Sequence, residues 1–129
     1  MVALETQITF SATDDLFGNQ TYIPHLAGAL VVLAERVSAK PTAMPKLLHI
    51  ASRDVCTRYS FARRIAETWG YDPELIIPVS STDVPGWIAK RPHYGGLLTT
   101  LATSLRIPIH SIAEGLHHAH ENWDCHTTV

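Results

Sequence analysis

Short apolar runs alternate with amphipathic segments along the chain, and this pattern predicts a mixture of strands and helices. Three runs are predicted to be strands: Gln7–Phe10, Lys46–Ser52 and Glu74–Ser80. The third is rich in β-branched residues, and Pro78 places it at a sheet edge or near its own end. The segment 14–20 has the composition of a turn, because Gly18 and Asn19 tolerate positive φ.

The first predicted helix runs from Pro24 to about Val37. Proline suits a first helical position, since its missing N–H would have no intrahelical partner there. Apolar residues recur at helical spacing and predict one buried stripe: Leu26, Leu30, Leu33 and Val37. A loop containing two prolines follows at 38–45, and His49, inside the second predicted strand, is expected to be a hydrogen-bonded core histidine.

The second predicted helix begins after Thr57, a suitable N-cap residue, and ends at Trp69. Gly70 stands where a left-handed C-cap residue is favoured. The inner face is predicted to consist of Ala62, Ile65, Ala66 and Trp69. A turn is expected at Asp72-Pro73.

Two further helices are predicted in the last third of the chain. A short one is expected at about 100–105. Another opens with Ser111 and Glu114, whose spacing matches a capping box. Its core face would comprise Ile112, Ala113, Leu116 and Ala119. Residues 1–123 therefore form one predicted domain, and residues 124–129 form a tail without a predicted anchor.

These elements predict a small α/β domain. The 129 residues can bury a core, and 46% hydrophobic with 17% charged residues is typical of a globular protein. Basic residues are mixed with acidic ones at a net charge of −2, which argues against nucleic-acid binding. No signal peptide and no membrane-spanning run is evident, so a soluble, cytoplasmic protein without a membrane partner is expected.

Two sequence motifs of nicotinamide-dependent enzymes are absent from the 129 residues. The seven glycines never fall at GxGxxG spacing. None of the four tyrosines is followed by a lysine four positions later, so the tyrosine–lysine pair used in proton transfer is missing too. We therefore expect this chain to bind no cofactor alone.

Several polar groups are candidates for chemistry. Arg91 is the strongest candidate for anion recognition, with the alternative that it pairs with a carboxylate or with backbone carbonyls to fix its loop. His93 and Tyr94 could stack on a base, bind a sugar or pack on the scaffold. Cys56 is expected to be a buried, inert thiol, and Asp14-Asp15 a solvated turn. No metal ligands are assigned. Helical spacing relates His110, Glu114, His117 or His118, and Glu121, which together with His120, Cys125 and His126 could bind a transition metal. The favoured alternative is a solvated helix face that runs into the tail.

Three stretches in order resemble the C-terminal part of dTDP-4-dehydrorhamnose reductases, within the extended short-chain dehydrogenase/reductase superfamily. They are FGNQTYIPHLAGAL at 17–30, LLHIASRDVCTRYSFARRIAETWGYD at 47–72 and RPHYGGLLTTLATSLRIP at 91–108. The second is similar to the family's S-x-Y-x-F-A helix start, and the third to its R-P-x-x-x-x-L segment. Two departures are Gln20, where the family has proline, and His25, where it has an aspartate.

The resemblance implies the small C-terminal lobe of a reductase whose Rossmann domain, with NAD(P), lies elsewhere. The substrate would be a dTDP-sugar, and the partner a Rossmann-domain chain or a second copy of this chain. The residues expected to face the substrate are Gln20, Tyr22, Arg91, His93 and Tyr94, and no catalytic residue is assigned. The expectation is a truncated, split or excised piece, inactive alone. The alternative is a non-catalytic interaction subunit resembling the regulatory subunit of methionine adenosyltransferase.

Overall fold

The computed structural model describes residues 2–40 and 44–123. Five α-helices occur there: α1 Val2–Glu5, α2 Ile23–Ala39, α3 Arg58–Trp69, α4 Thr100–Ser104 and α5 Ile112–Glu121. Four short strands accompany them: β1 Phe10–Thr13, β2 Phe17–Gly18, β3 Cys56–Thr57 and β4 Ile76–Val79. Single 3₁₀ turns lie at Pro73–Leu75 and Ser81–Asp83. The predicted α/β class, with several helices and few short strands, is confirmed.

The strands form two small sheets. β1 pairs in parallel with β4, and Phe10 lies opposite Ile76. β2 pairs antiparallel with β3, and an isolated bridge joins Phe17 to Tyr94. The Arg-Pro loop, residues 91–97, is thereby attached to the first part of the chain.

Helix α3 is the central element of packing. Thr57 caps it by accepting a hydrogen bond from Ser60 N, and Gly70 ends it at φ 72°. Ala62 and Ala66 are buried against β1 and β4, and the partly buried Ile65 touches two apolar clusters. The predicted bounds, cap and inner face of this helix are therefore confirmed.

Within residues 2–40 and 44–123, three apolar clusters make up the core. One lies around Ala66 and Ile76, and a second around Cys56, Ile112 and Leu116. The third joins α2 and α4 through Ala29, Ala102 and Ile107. Arg36 of α2 donates to the carbonyls of Leu105 and Arg106, which fixes the end of α4 to α2.

Two strand predictions were wrong. The first strand lies at Phe10–Thr13, three residues later than predicted, and Gln7 has φ 55° in a turn closed by Gln7 N and Leu4 O. The segment 46–52 forms no ladder. It runs without strand pairing, and its end is fixed by other bonds: Ser52 N donates to Thr21 Oγ1 and Arg53 N to His110 O.

Some side-chain predictions also fail. Leu30 and Val37 are 49% and 40% exposed, because α2 turns Ala29 and Val32, together with the predicted Leu33, towards its neighbours. His49 is exposed, since its segment lies outside any sheet. Ala113 is exposed as well, whereas Ile112, Gly115 and Leu116 are buried. The predicted turn at 14–20 contains the short strand β2. The predicted tail, 124–129, lies outside the described residues.

Candidate functional site

The Arg-Pro loop is bound to β2 by its backbone. Phe17 N donates to His93 O at 2.7 Å, and Gly95 N donates to Phe17 O at 2.9 Å. The rings of Phe17 and Tyr94 stack at 5.5 Å between centroids with 15° between planes. Tyr94 is still 83% exposed, so one side of its ring remains available to a ligand.

Asn19 fastens the end of this loop. Its Oδ1 accepts from Leu97 N at 2.6 Å, and its Nδ2 donates to Ser52 O at 2.7 Å. A Cβ on Gly96 would lie 2.6 Å from Val55 Cγ1, so this close approach requires glycine. Gly96 therefore allows the loop to pack closely against Val55.

Asp15 connects the same loop to the end of β4. Its carboxylate accepts hydrogen bonds from Ser81 N at 3.0 Å, Ser81 Oγ at 2.8 Å and Ser80 Oγ at 3.1 Å. Burial acts to raise the pKa of Asp15, but these hydrogen bonds outweigh it and lower the pKa overall. Its carbonyl oxygen also lies 2.9 Å from His93 Nδ1, which donates to it as an N–H. Asp14 accepts from Thr57 Oγ1 at 3.0 Å, so each aspartate has a structural partner.

Arg91 lies over the ring of Trp87. Its guanidinium carbon is 4.6 Å from the ring centroid, and that of Arg58, the first residue of α3, is 5.9 Å from it. No ion pair of Arg91 occurs within residues 2–40 and 44–123. The carboxylate partner of the alternative prediction is therefore not found among the described residues, and the guanidinium of Arg91 contacts the indole of Trp87. Two guanidinium groups beside one indole form a locally cationic surface.

Trp87 lines two adjoining cavities. One, of about 360 Å³, is also lined by Ser81, Lys90, Arg91 and His93. The other, of about 500 Å³, lies between β1, the N-terminal part of α3 and the segment 83–87. Trp87 and Arg58 were not singled out from the sequence. A tryptophan four residues before an arginine was the only available signal, and without a structure it does not indicate a contact.

A larger apolar cleft of about 650 Å³ lies between the start of α2, α3 and α5. Gln20 and Tyr22 stand on one side of it. The opposing side chains are mainly aromatic and aliphatic: Phe61, Ile65, Trp69, Leu116 and Trp123. Trp69 Nε1 is buried without a hydrogen-bond partner in the described residues.

The five predicted substrate residues therefore fall in two places. Gln20 and Tyr22 line the apolar cleft, whereas Arg91 and His93 line the cavity beside Trp87. Tyr94 follows His93 and is stacked on Phe17. Residues 15–19 bond to the Arg-Pro loop and lead directly into Gln20, so one short segment connects the two places.

Cys56 is buried, 5% exposed. Burial raises the pKa of its thiol, Arg64 lowers it and Asp54 raises it. A raised pKa disfavours the thiolate, which is the reactive form. This agrees with the prediction of an inert thiol.

The histidine-rich helix forms no evident metal centre. Among residues 2–40 and 44–123, no group of three or more potential ligands could hold an ion. His117 Nε2 lies 3.2 Å from Glu121 Oε1, while His110 stacks on His25 away from this pair. Cys125 and His126 lie outside the described residues.

The residues present do not fit a nicotinamide dinucleotide. A pyrophosphate site of that kind needs glycines in the turn from a strand into a helix. The direct strand-to-helix junction in the described chain, β3 to α3, reads Cys56-Thr57-Arg58.

Comparison with known proteins identifies the family. A family model described as the RmlD substrate binding domain matches residues 1–124. The chain belongs to this family. The resemblance to dTDP-4-dehydrorhamnose reductases is confirmed.

Two curated relatives carry the same assignment. The dTDP-4-dehydrorhamnose reductase of Mycobacterium tuberculosis, strain CDC 1551 / Oshkosh, is 38% identical over 72 residues, which cover 56% of this chain and 22% of the relative. The same values hold for the reductase of strain ATCC 25618 / H37Rv. The match spans about a fifth of the length of these relatives.

Solved structures share the fold. A dTDP-4-dehydrorhamnose reductase from Yersinia enterocolitica matches with a TM-score of 0.77 at 19% identity, covering 95% of this chain and 41% of that one. The reductase from Bacillus anthracis, solved in complex with NADP, gives 0.73 at 21% identity, covering 91% and 39%. The chain therefore spans about two fifths of these proteins. In the part of the chain that is described, no helix is long and apolar enough to cross a membrane.

Proposed function

We propose that the chain is the sugar-nucleotide-binding lobe of an NAD(P)-dependent, dTDP-4-dehydrorhamnose reductase-like protein. Its substrate would be a dTDP-sugar. Hydride transfer would need a cofactor site and a tyrosine–lysine pair, neither of which occurs in these 129 residues. A Rossmann-domain segment or partner chain would supply them, so this lobe alone would bind substrate without reducing it.

The observation that carries the proposal is the exposed guanidinium of Arg91. It stands over Trp87, whose ring centroid also lies 5.9 Å from the Arg58 guanidinium carbon, and it makes no ion pair with a carboxylate among the described residues. A planar guanidinium fork binds phosphate oxygens bidentately. Arg91 would therefore bind the diphosphate of the nucleotide, and Trp87 would hold the fork in place.

The other predicted residues would surround this anchor. His93 donates through Nδ1 to the Asp15 carbonyl, so its Nε2 would be left as an acceptor for a sugar hydroxyl. Tyr94 offers the exposed side of its ring for stacking. Gln20 and Tyr22, on the neighbouring cleft, would bind the part of the substrate farthest from the phosphates.

Calorimetric titration of the 129-residue chain tests this proposal. The chain should bind a dTDP-sugar and not NADPH. Arg91→Gln should weaken dTDP-sugar binding by about tenfold or more, which corresponds to the loss of one charge-assisted contact. Arg106→Gln, an exposed arginine outside the Arg-Pro loop, is the matched control and should bind as the parent chain does. NADPH binding by the chain, or equal affinity in both variants, would refute the assignment.

A second function is favoured by one further observation. The parallel pair β1–β4 has exposed apolar side chains, Phe10 and Ile77, with Ile8 just before β1. Parallel sheets are normally covered on both faces, so this pair is suited to docking on another protein. We propose as the alternative a non-catalytic interaction subunit, like the regulatory subunit of methionine adenosyltransferase that shares the reductase resemblance.

The two functions differ in what a complex would do. For a reductase lobe, adding a chain that carries the Rossmann domain should produce NADPH oxidation dependent on a dTDP-4-dehydro sugar. For an interaction subunit, a complex should form while dTDP-sugar titration of the chain remains silent. A Phe10→Ser, Ile77→Ser variant should lose the complex in either case, whereas Arg91→Gln should affect only the first.

A further inference from the structure

Three imidazole rings meet where α2 begins. His25 lies in the first turn of α2, His110 in the segment before α5, and His118 on α5 itself. The rings of His25 and His110 stack at 3.9 Å with 24° between planes. His118 lies 5.5 Å from His25, centroid to centroid. Three separate parts of the chain thus contribute to one histidine cluster.

Tyr22 closes this histidine cluster on one side. Its hydroxyl lies 3.3 Å from His118 Nδ1, and its ring meets His25 edge-on at 5.1 Å. Asn122 Nδ2 lies 3.4 Å from the same His118 nitrogen. An amide N–H donates, so this geometry suits a His118 whose Nδ1 is an unprotonated acceptor.

The surrounding charges are few. Glu114 of α5 is the carboxylate that acts on His25, and it is already held by the Ser111 cap and by Arg53 at 2.9 Å. Arg53 also donates its backbone N–H to His110 O. The segment 50–52, which lines the small cavity beside His25 and His110, adds no titratable group. No carboxylate in the described residues makes an ion pair with any of the three rings.

The neutral form of His25 is favoured in this arrangement. Burial lowers the pKa of His25, and the neighbouring His110 and His118 lower it further, while Glu114 acts in the opposite direction. His25 has a higher pKa in the unfolded chain, or when it has left the cluster, than it has in the folded cluster. As the pH falls, the unfolded or open form is therefore protonated before the closed form. The closed contact is therefore fully present above about pH 6.5 and weakens as the pH drops below that value.

The histidine cluster contacts Tyr22, which forms part of the wall of the apolar cleft. Tyr22 packs so closely on α5 that a Cβ on Gly115 would lie 2.9 Å from Tyr22 Cβ. Tyr22 and Gly115 both line the cleft of about 650 Å³. Any separation of the α2 start from α5 must move this wall.

We propose that the His25–His110–His118 cluster is a proton-sensitive joint. When the rings are neutral it holds Tyr22 and the start of α2 against α5. When His25 and His110 are both protonated, their positive charges repel across the 3.9 Å between the ring centroids. The start of α2 then separates from α5, and the cleft widens at Tyr22. This device depends on the fold alone and not on the identity of the substrate.

Nuclear magnetic resonance of the full chain between pH 8 and pH 5 tests the joint. The Gly115 and Leu26 amides, on opposite sides of it, should shift in one common transition below pH 6.5, with the His25 ring titrating in step. The midpoint temperature of thermal unfolding should fall by a few degrees over the same pH range. His25→Gln should abolish both effects. His49→Gln, an exposed histidine outside the cluster, should preserve them.

A second variant distinguishes the loss of the ring contact from a folding defect at the start of α2. His110→Gln removes the stacked ring without changing α2 and should also abolish the common transition. The proposal is refuted if the Gly115 and Leu26 amides do not move with His25. It is equally refuted if the transition persists in both His25→Gln and His110→Gln.

Discussion

Two helical glycines differ in what surrounds the position of the missing Cβ. At Gly28, in α2, no atom lies within 4 Å of that position. At Gly115, in α5, Tyr22 Cβ lies 2.9 Å away. The first glycine only weakens its helix, whereas the second allows Tyr22, the N-cap residue of α2, to approach α5 closely.

Alanine substitutions should therefore have opposite effects. Gly28→Ala should raise the free energy of unfolding by about 0.5–1 kcal/mol, because alanine loses less backbone entropy on folding. Gly115→Ala should lower it by about 1–3 kcal/mol through overpacking against Tyr22. Urea unfolding of both variants checks this pair. If both variants were stabilised, the contact between Tyr22 and α5 would have to be looser than described.

Glu114 gives a prediction in the acid range. Its pKa is lowered to about 2, first by the backbone and side-chain hydrogen bonds of Ser111 and then by the charges of Arg53 and His110, against the effect of burial. The folded chain therefore holds this carboxylate ionised more strongly than the unfolded chain does. Its contribution to stability is complete above about pH 4.5 and is lost as the pH falls towards about 2.

Unfolding measured from pH 6 to pH 2 checks this. The parent chain should be more stable than Glu114→Gln at pH 6, and the difference should shrink steadily below pH 4.5. Glu67→Gln, on the exposed face of α3, is the control and should show no such convergence. A constant difference between the parent chain and Glu114→Gln would contradict the assigned cause.

At the scale of elements, the N-cap residue of α3 makes two hydrogen bonds with its side chain. Thr57 Oγ1 accepts from Ser60 N at 3.1 Å and donates to Asp14 Oδ1 at 3.0 Å. The residue is 3% exposed. One hydroxyl therefore starts the helix and ties it to the end of β1.

Removal of this hydroxyl should be costly. Thr57→Ala should lower the free energy of unfolding by about 1–2 kcal/mol, while Thr57→Ser, which keeps the hydroxyl, should restore most of the loss. Chemical denaturation measures both. Equal losses in the two variants would mean that the methyl group, and not the hydrogen bonds, is the important part.

Helices were predictable where their ends carry chemical signals. Pro24, Thr57, Gly70 and the Ser111–Glu114 box each mark a boundary through local bonding, which does not depend on the rest of the fold. Strands lack such signals, because their pairing is decided by distant residues. The segment 46–52 has strand composition but meets no partner, so its prediction failed.

The candidate site was predictable in part. Composition and resemblance directed attention to the Arg-Pro loop, and the structure places Arg91 and His93 at one cavity. The sequence did not indicate Trp87 or Arg58, because their meeting with Arg91 depends on how α3 lies against the loop. It also did not indicate the stacked pair His25–His110, whose members are separated by most of the chain.

At the scale of the whole molecule, the buried apolar residues of the described chain are divided among three clusters. Two of these clusters share Ile65 of α3, whereas the cluster of α2 and α4 does not include it. Clusters that share no residues can unfold locally and independently of one another. A truncation within the α2–α4 cluster should therefore destabilise α2 and α4 more than it destabilises α3.

Ile107→Ala tests this division. Ile107 is 3% exposed in the α2–α4 cluster, so the truncation should cost about 2–4 kcal/mol. Hydrogen exchange should accelerate mainly in α2 and α4, with α3 less affected. Ile88→Ala, at a fully exposed isoleucine, is the matched control and should change stability by less than about 0.5 kcal/mol. Uniform acceleration over all helices would indicate a single cooperative unit instead.

The pairing of β1 with β4 has a consequence for the order of folding. These strands are separated by some sixty residues, which include β2, α2, β3 and α3. Closing so long a loop costs entropy before any contact repays it, so parallel pairing across it is slow. Helices α2 and α3 are local and should form first. During synthesis, β1 must wait for β4 to leave the ribosome, and until then Phe10 and its neighbours are available to a chaperone.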